Sequence, residues 1–396
     1  MFQLRKDIIN TTMGKFRTYL VEQNEEDKLK HLEHVEDHVL HAGKDGFGHG
    51  FHTVRDVHNQ LSGQKTDTKI TMKYDGSPAV IFGEHPENKQ FFVASKSAFN
   101  KNPKINHTHE DIEKNHGHAP GLVQKLKAAL DHAHKIKPQG IYQADIMHAG
   151  DVKKKGNRVE FTPNTITYHA PHDSDHGKAA TNSKLGLAVH TGYEGKTIEG
   201  LKAVHAPDMS HFVKHKDVHL MDAAHDTSQH HYTQEDRKQV EHHLDQAVQH
   251  FKNTPNDHHD TVLKHHEALK TYINHTVRTG EQHSHEGFVA HHTAKHNKKI
   301  DSVKTDAAKQ RHTTTRDNIL NHINTNKEHF EGPMNMHKHL QAAKNILTKT
   351  LSQRSQWEHE IGGVKSKPEG FVAIRNGRPS KFVDRAEFSA ANFNKG

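Results

Sequence analysis

Two kinds of apolar spacing divide this chain, and their order limits what it can fold into. From about residue 66 to 222 apolar residues alternate singly, as strands require. From about 223 to 360 they recur every three or four residues, as helices require. After Gly362-Gly363 the single alternation returns. A strand-rich domain interrupted by a helical insertion, and closed by a hairpin from the far end of the sequence, satisfies that order. The expected segments are 1–65 (helical), 66–222 (first part of the domain), 223–360 (insertion) and 361–396 (closing hairpin).

Particular stretches carry these expectations. Leu32, Val35 and Val39 make an N-terminal helical stripe, and Gly43, Gly46, Gly48 and Gly50 interrupt it as a loop before Phe51 to Leu61 resumes. Leu122, Leu126 and Leu130 predict a helix from Gly121 to His134. In the insertion, Val240, Leu244, Val248 and Phe251 follow a capping Thr233. Ile319, Ile323 and Phe330 make a stripe stopped by Gly332, and Pro333 starts the last helix through Leu351. Ile141 to Met147, Val159 to Phe161, Thr165 to His169 and Leu185 to His190 read as strands. Glu369 to Ile374, Asn376-Gly377 and Lys381 to Val383 read as a hairpin with a turn that favours positive φ.

With 396 residues and an apolar fraction of 31%, several modest cores are expected rather than one large one. The formal charge of +7 points to an anionic partner, nucleic acid before others. The chain has no cysteine, which excludes disulfides, thiolate metal sites and thiol nucleophiles. Neither a signal peptide nor a membrane-crossing run is read, so a cytoplasmic protein without a membrane partner is expected. The 45 histidines, including His31, His34 and His38 on one face and pairs such as His258-His259, are spread evenly. That spread reads as a compositional bias on solvated faces, because a metal site needs a closed set of three or four ligands.

The chemistry concentrates at Lys73-Tyr74-Asp75-Gly76, which follows the alternating run Thr68 to Met72. Alternation places Ile70 and Met72 on one face and Thr71 and Lys73 on the other. Asp75-Gly76 reads as a turn, with Ser77 to Phe82 returning as the second strand of a hairpin. An ordinary hairpin with a solvated lysine fits the tetrapeptide as well; what lies downstream separates the two. Tyr142-Gln143-Ala144-Asp145, Glu369-Gly370-Phe371-Val372 and Lys381 follow in order, each on a strand.

This set resembles the covalent nucleotidyltransferase superfamily of ATP-dependent DNA ligases, RNA ligases and mRNA-capping enzymes. The general layout also looks like that of an uncharacterised tailed-phage family, for which host cytoplasm is the expected location. The resemblance implies an α+β fold: a ligase-type nucleotidyltransferase with ATP-grasp-like mixed antiparallel sheets, an N-terminal helical segment and a large helical insertion. It implies Lys73 as the adenylated lysine, with Asp75 and Lys381 also catalytic. Gly76, Lys96, Glu369 and Lys381 would join Lys73 in binding ATP, and Phe161 or Tyr168 would stack on the base. Asp145 and Glu369 would hold Mg²⁺ or Mn²⁺. Asp145 departs from the Gly-Glu usual in the third motif and reaches one bond less far. A second Glu-Gly-Phe-Val-Ala stretch begins at Glu286; Glu369 is preferred because a hairpin turn and a lysine follow it.

Lysine attacks phosphorus only when neutral, whereas its ordinary pKa is near 10.4. A metal ion, Lys96 and Lys381 are expected to depress the Lys73 value. The implied activity is polynucleotide ligation through a lysyl-AMP, on RNA before DNA ends. The insertion would touch the phosphate backbone or serve purely as structure. Alternatives are a guanylyltransferase, an inactive nucleic-acid-binding or virion-associated protein that keeps the fold, and a histidine-rich metal-binding protein.

Overall fold

A computed structural model describes residues 32–385. The part of the expected helical segment before residue 32 and the segment after 385 lie outside those residues, whereas the stripe Leu32, Val35 and Val39 falls on extended and turn backbone followed by the single helical turn His38–His41. The architecture is α+β, with three sheets and a helical block at 234–351 that interrupts both the first and the third sheet in sequence.

The first sheet has the order β1 (Lys69–Lys73), β13 (Gly370–Arg375), β14 (Arg378–Phe382), all antiparallel. The alternation in β1 holds, with Ile70 and Met72 buried. Its free edge is covered by 223–225, through Met72 N–H to the Ala223 carbonyl at 2.7 Å and His225 N–H to the Ile70 carbonyl at 3.0 Å. Asn376 and Gly377 join β13 to β14 with φ of 51° and 75°, the positive values a two-residue hairpin turn needs.

The second sheet runs β10 (Val218–Leu220), β8 (Leu185–Glu194), β4 (Ile141–His148), β2 (Ala79–Glu84), β3 (Phe91–Ala94), with β9 (Lys202–His205) also on β8. Only the β8–β10 pairing is parallel. Helices α3 (His109–His116) and α4 (Pro120–His132) cover one face through Ile112, Val123 and Leu126. The third sheet is β12 (Val364–Ser366), β11 (Glu358–Ile361), β7 (Thr167–Pro171), β6 (Arg158–Phe161), β5 (Lys153–Lys155), flanked by α5 (Asp175–Asn182).

The expected hairpin through Asp75-Gly76 does not form. β1 pairs with β13, while β2 pairs with β3 and β4 in another sheet. Asp75-Gly76 is a crossover between sheets, and Gly76 is required there. A Cβ on Gly76 would lie 2.4 Å from the Asp145 Cβ and 2.8 Å from the Met147 sulfur.

The glycine run is likewise not a loop. Gly43 to Leu61 is one helix, α2, preceded by the single turn α1 (His38–His41). Its glycines permit close crossing: a Cβ on Gly46 would sit 1.7 Å from the His38 carbonyl oxygen, and one on Gly50 2.6 Å from that of Val35. Gly46→Ala is expected to destabilise the fold by more than about 2 kcal/mol, because backbone rather than a flexible tip must yield. Chemical denaturation reads this; a loss below about 0.5 kcal/mol would contradict the close approach.

The helical block comprises α6 (Gln234–Asn253), α7 (Asn256–Lys264), α8 (His266–Thr279), α9 (His285–Ser302), α10 (Asp306–Thr325) and α11 (Lys327–Leu351). Thr233 caps α6, its side chain accepting from the Asp236 N–H. The break between the last two helices falls at Asn326, whereas Gly332 and Pro333 lie inside α11. Gly332 faces Thr254, whose Oγ1 would be 2.0 Å from a Cβ there, so this glycine marks a helix crossing and not a stop. The block shares one continuous core with α2 and the first and third sheets, through Phe47, Val54, Leu340, Leu347, Phe371 and Phe382.

A buried charge cluster ties α11 to both ends of the described chain. Lys344 donates to Glu36 at 2.9 Å and to the Val383 carbonyl at 2.8 Å. Arg385 pairs with Asp37, which also meets His337 at 2.9 Å. Burial alone would raise the Glu36 carboxyl, but Lys344 and Arg385 bring it down to about 2. Lys344→Met would leave that carboxylate buried without its nearest cation. A loss of roughly 3–5 kcal/mol is expected. Adding Glu36→Gln should restore most of it, as urea unfolding would show; a single variant as stable as the unaltered chain would contradict the pairing.

Candidate active site

β1 ends at Lys73 directly across from Gly370, which brings Glu369 beside the lysine from 296 positions away. Lys73 Nζ donates to Glu369 Oε1 in a close ion pair. Both side chains keep some exposure, 27% and 17%, so the pair is partly buried rather than sealed in the core. The second carboxylate oxygen of Glu369 is buried and has no hydrogen-bond partner among the described residues. Lys381 lies one strand further, opposite Val372. Its backbone is clamped by the N-terminal segment, through Lys381 N–H to the Glu33 carbonyl at 2.8 Å and Val35 N–H to the Lys381 carbonyl at 3.2 Å.

Asp145 approaches from the second sheet, in register with Ala79 just past the crossover. Its field, with those of Glu369 and Asp75, acts on the Lys73 amine. Four sequence-distant motifs therefore meet at one point. Asp75 itself is a fastener. Its Oδ1 accepts from the Asn164 side chain at 2.8 Å, and its Oδ2 from the Thr165 and Ile166 backbone N–H groups at 2.7 and 2.8 Å. Its own N–H donates to the Tyr168 hydroxyl at 2.7 Å. The crossover is thus bolted to the β6–β7 connection, which fixes the end of β1.

The electrostatics differ from the sequence expectation. Burial alone would lower the Lys73 value, but Glu369, Asp145 and Asp75 outweigh it and raise the amine above its ordinary range. Lys381 is the depressed amine, pushed to about 8 by burial and by the charge of Lys73. Burial raises the Glu369 carboxyl despite Lys73. Glu369 is in direct contact with the amine, and the charges of Asp145 and Asp75 add to its effect. The pair as it stands therefore keeps its proton on Lys73, as an ammonium facing the Glu369 carboxylate.

Residues 25–396 match a family profile. The chain belongs to the family of unknown function DUF6267. No curated protein and no solved structure matches it.

In this DUF6267 chain the remaining expected residues fall as follows. Glu286 is on the first turn of α9, exposed and paired with Lys327 at 2.7 Å, remote in kind from a strand-borne acid. Lys96 opens a one-turn 3₁₀ helix after β3 and is exposed. Phe161 is closed off from a base. It is 3% exposed, stacks on Tyr168 at 5.6 Å, and meets the edge of Trp357 at 5.1 Å. Tyr168 is 1% exposed and spends its hydroxyl on Asp75. The aromatic pair packs into the core beneath Asp75 instead of presenting a ring face.

Sequence reading passed over His190, whose Nε2 stands 3.8 Å from Asp145 Oδ1. It sits at the end of the run read as Leu185 to His190, and only the β4–β8 register places it near the acid. Among the described residues no helix is long and apolar enough to cross a membrane.

Proposed function

We propose that this chain is an ATP-dependent polynucleotide ligase, acting on RNA ends before DNA ends, built as a ligase-type nucleotidyltransferase with ATP-grasp-like sheets. One observation carries the reading: Lys73, Asp145, Glu369 and Lys381, from three separate strands and one strand-flanking residue, surround a single amine. Once its proton is removed, against the raised value that the neighbouring acids give it, Lys73 Nζ attacks the α-phosphorus of ATP. A nitrogen–phosphorus bond forms, the bond to the bridging oxygen breaks, and pyrophosphate leaves with that oxygen. Glu369, within hydrogen-bond reach and with its carboxyl raised by burial, accepts the amine proton. Lys381 offsets charge on the α-phosphoryl oxygens. Gly76 leaves the backbone low beside Asp145, and Lys96 offers a mobile charge for the outer phosphates.

The free Glu369 oxygen and the Asp145 carboxylate suit a hard divalent ion such as Mg²⁺ or Mn²⁺. Held there, it would supply positive charge beside Lys73 and the phosphates. AMP then passes from Lys73 to a 5′-phosphate end, and a 3′-hydroxyl displaces it as the strand is sealed. The net charge of +7 favours a polyanionic substrate.

Intact-mass spectrometry after incubation with ATP and Mg²⁺ tests the reading. The expected product carries one AMP, mapped to Lys73. An adduct on Lys381, the amine nearer neutrality, would reassign the nucleophile; a GMP adduct from GTP would make the protein a guanylyltransferase. A second reading rests on the ion pair itself: Lys73–Glu369 closed by aromatic packing would be a structural clasp in an inactive nucleic-acid-binding protein. That reading predicts no adduct with either nucleotide, but salt-dependent binding to RNA or DNA.

A further inference from the structure

Away from this site, one pair of imidazoles differs from the other histidines. His258, on the first turn of α7, and His329, on the first turn of α11, lie nearly parallel with ring centroids 4.0 Å apart and planes at 18°. Asp257 brings a carboxylate to the same place, and one ligand atom from each of the three lies within 4.8 Å of the others. Neither the Asp257 carboxylate nor the His258 ring has a hydrogen-bond partner among the described residues.

His329 is oriented by its neighbour Thr261. The Thr261 hydroxyl donates its only proton to the Asp257 carbonyl at 3.0 Å. The same hydroxyl stands 2.8 Å from His329 Nδ1 and, where it donates to the carbonyl, accepts from that nitrogen. In that arrangement His329 presents a bare Nε2 lone pair. Hydroxyl and carbonyl partners of this sort orient the ligands of metal sites. Glu328 adds a second carboxylate whose field reaches His258.

We propose that Asp257, His258 and His329 bind a divalent transition-metal ion, Zn²⁺ being the best match to two imidazoles and one carboxylate, with a position left for water. The ligand set argues against Mg²⁺ and Ca²⁺, which take oxygen donors. Zinc–nitrogen distances of about 2.0–2.1 Å draw ligand atoms closer together than they stand here. All three side chains are partly exposed or exposed, so small χ rotations achieve this. Both helices present N-termini, whose partial positive charge opposes a cation, and Asp257 and Glu328 offset it. An ion here clips α7 to α11 across the intervening α8, α9 and α10. The closed ligand set expected to be missing from an even spread of histidines is thus present once the helices pack.

The test is Co²⁺ titration of the full chain, read by equilibrium dialysis and by visible absorption, with Zn²⁺ as displacing ion. The unaltered chain should bind one tight equivalent more than Asp257→Asn and one more than His329→Gln. Thr261→Val should keep that equivalent with about 10-fold weaker affinity. Histidines elsewhere contribute equally to every chain, so the difference isolates this site. Zn²⁺ should raise the melting temperature of the unaltered chain and leave that of the two ligand variants unmoved. The same number of equivalents and the same spectrum in all chains would overturn the proposal. Asp257 is exposed, so Asp257→Asn decides the question even where His329→Gln folds poorly. Adenylation at Lys73 plays no part in the readout.

Discussion

Lys73→Arg is expected to abolish adduct formation with ATP, by at least about 10⁴-fold, while leaving the protein folded. Arginine keeps the positive charge and the ion pair with Glu369, so the site stays electrically as it was. It cannot be deprotonated at any usable pH, and it therefore cannot attack phosphorus. Loss of a covalent nucleophile typically costs several orders of magnitude, because neither positioning nor charge can replace the missing bond. Lys73→Ala should be equally inactive but less informative, since it also strands the buried Glu369 carboxylate. Quantitative mass spectrometry of ATP-treated protein reads both variants. Residual adduct above a hundredth of the unaltered level in Lys73→Arg would remove Lys73 from the role of nucleophile and direct attention to Lys381.

Moderate acid should unfold the protein, at a pH where most carboxylates are still charged. Burial holds the imidazoles of His38, His148 and His359 at about 4, His219 at about 3 and His49 at about 2. Arg378 adds to the effect at His38, and His148 adds to it at His219. Unfolded histidine titrates near 6.5. Between 6.5 and about 4 the unfolded chain binds protons that the folded chain refuses, so stability rises with pH. The contribution is complete above 6.5 and is lost as pH falls toward the folded values. Each fully shielded imidazole costs about 1.4 kcal/mol per pH unit in that window. Five of them together rival the 5–15 kcal/mol that typically separates folded from unfolded. A drop in melting temperature of roughly 10 °C or more between pH 7.5 and 5.5 follows. Circular dichroism melts across that range check it, and a flat profile would mean that these rings are hydrated in solution.

The second prediction exposes what sequence alone could and could not convey. Local rules were legible where local physics decides. Examples are the Thr233 cap on α6, the Asn376-Gly377 turn, and the alternation that buries Ile70 and Met72 while freeing Lys73. The different settings of Glu369 and Glu286 were legible for the same reason, since one stretch carries strand and turn signals and the other a helix face. Failures arose where a residue answers to a distant neighbour. Gly46 and Gly332 read as breaks because nothing local announces the His38 carbonyl or Thr254. His148 and His219 read as surface because their burial depends on Phe161 and Trp357 arriving from other strands. Asp75-Gly76 read as a hairpin turn because sequence carries no sign of β13 taking the place beside β1. The site's members were visible one at a time, whereas their electrostatics, with Lys73 raised and Lys381 lowered, depended on distances that only folding sets.

The pairing of β1 with β13 also has a temporal meaning. A ribosome releases Lys73 long before it has joined the amino acids that will become Glu369 and Lys381. Throughout that interval the nascent lysine has neither Glu369 nor Lys381 beside it, so under the proposed function a partly made chain would be silent toward nucleotide. Competence would arrive abruptly, late in translation, when the hairpin zips onto an edge that has been waiting since the first quarter of synthesis.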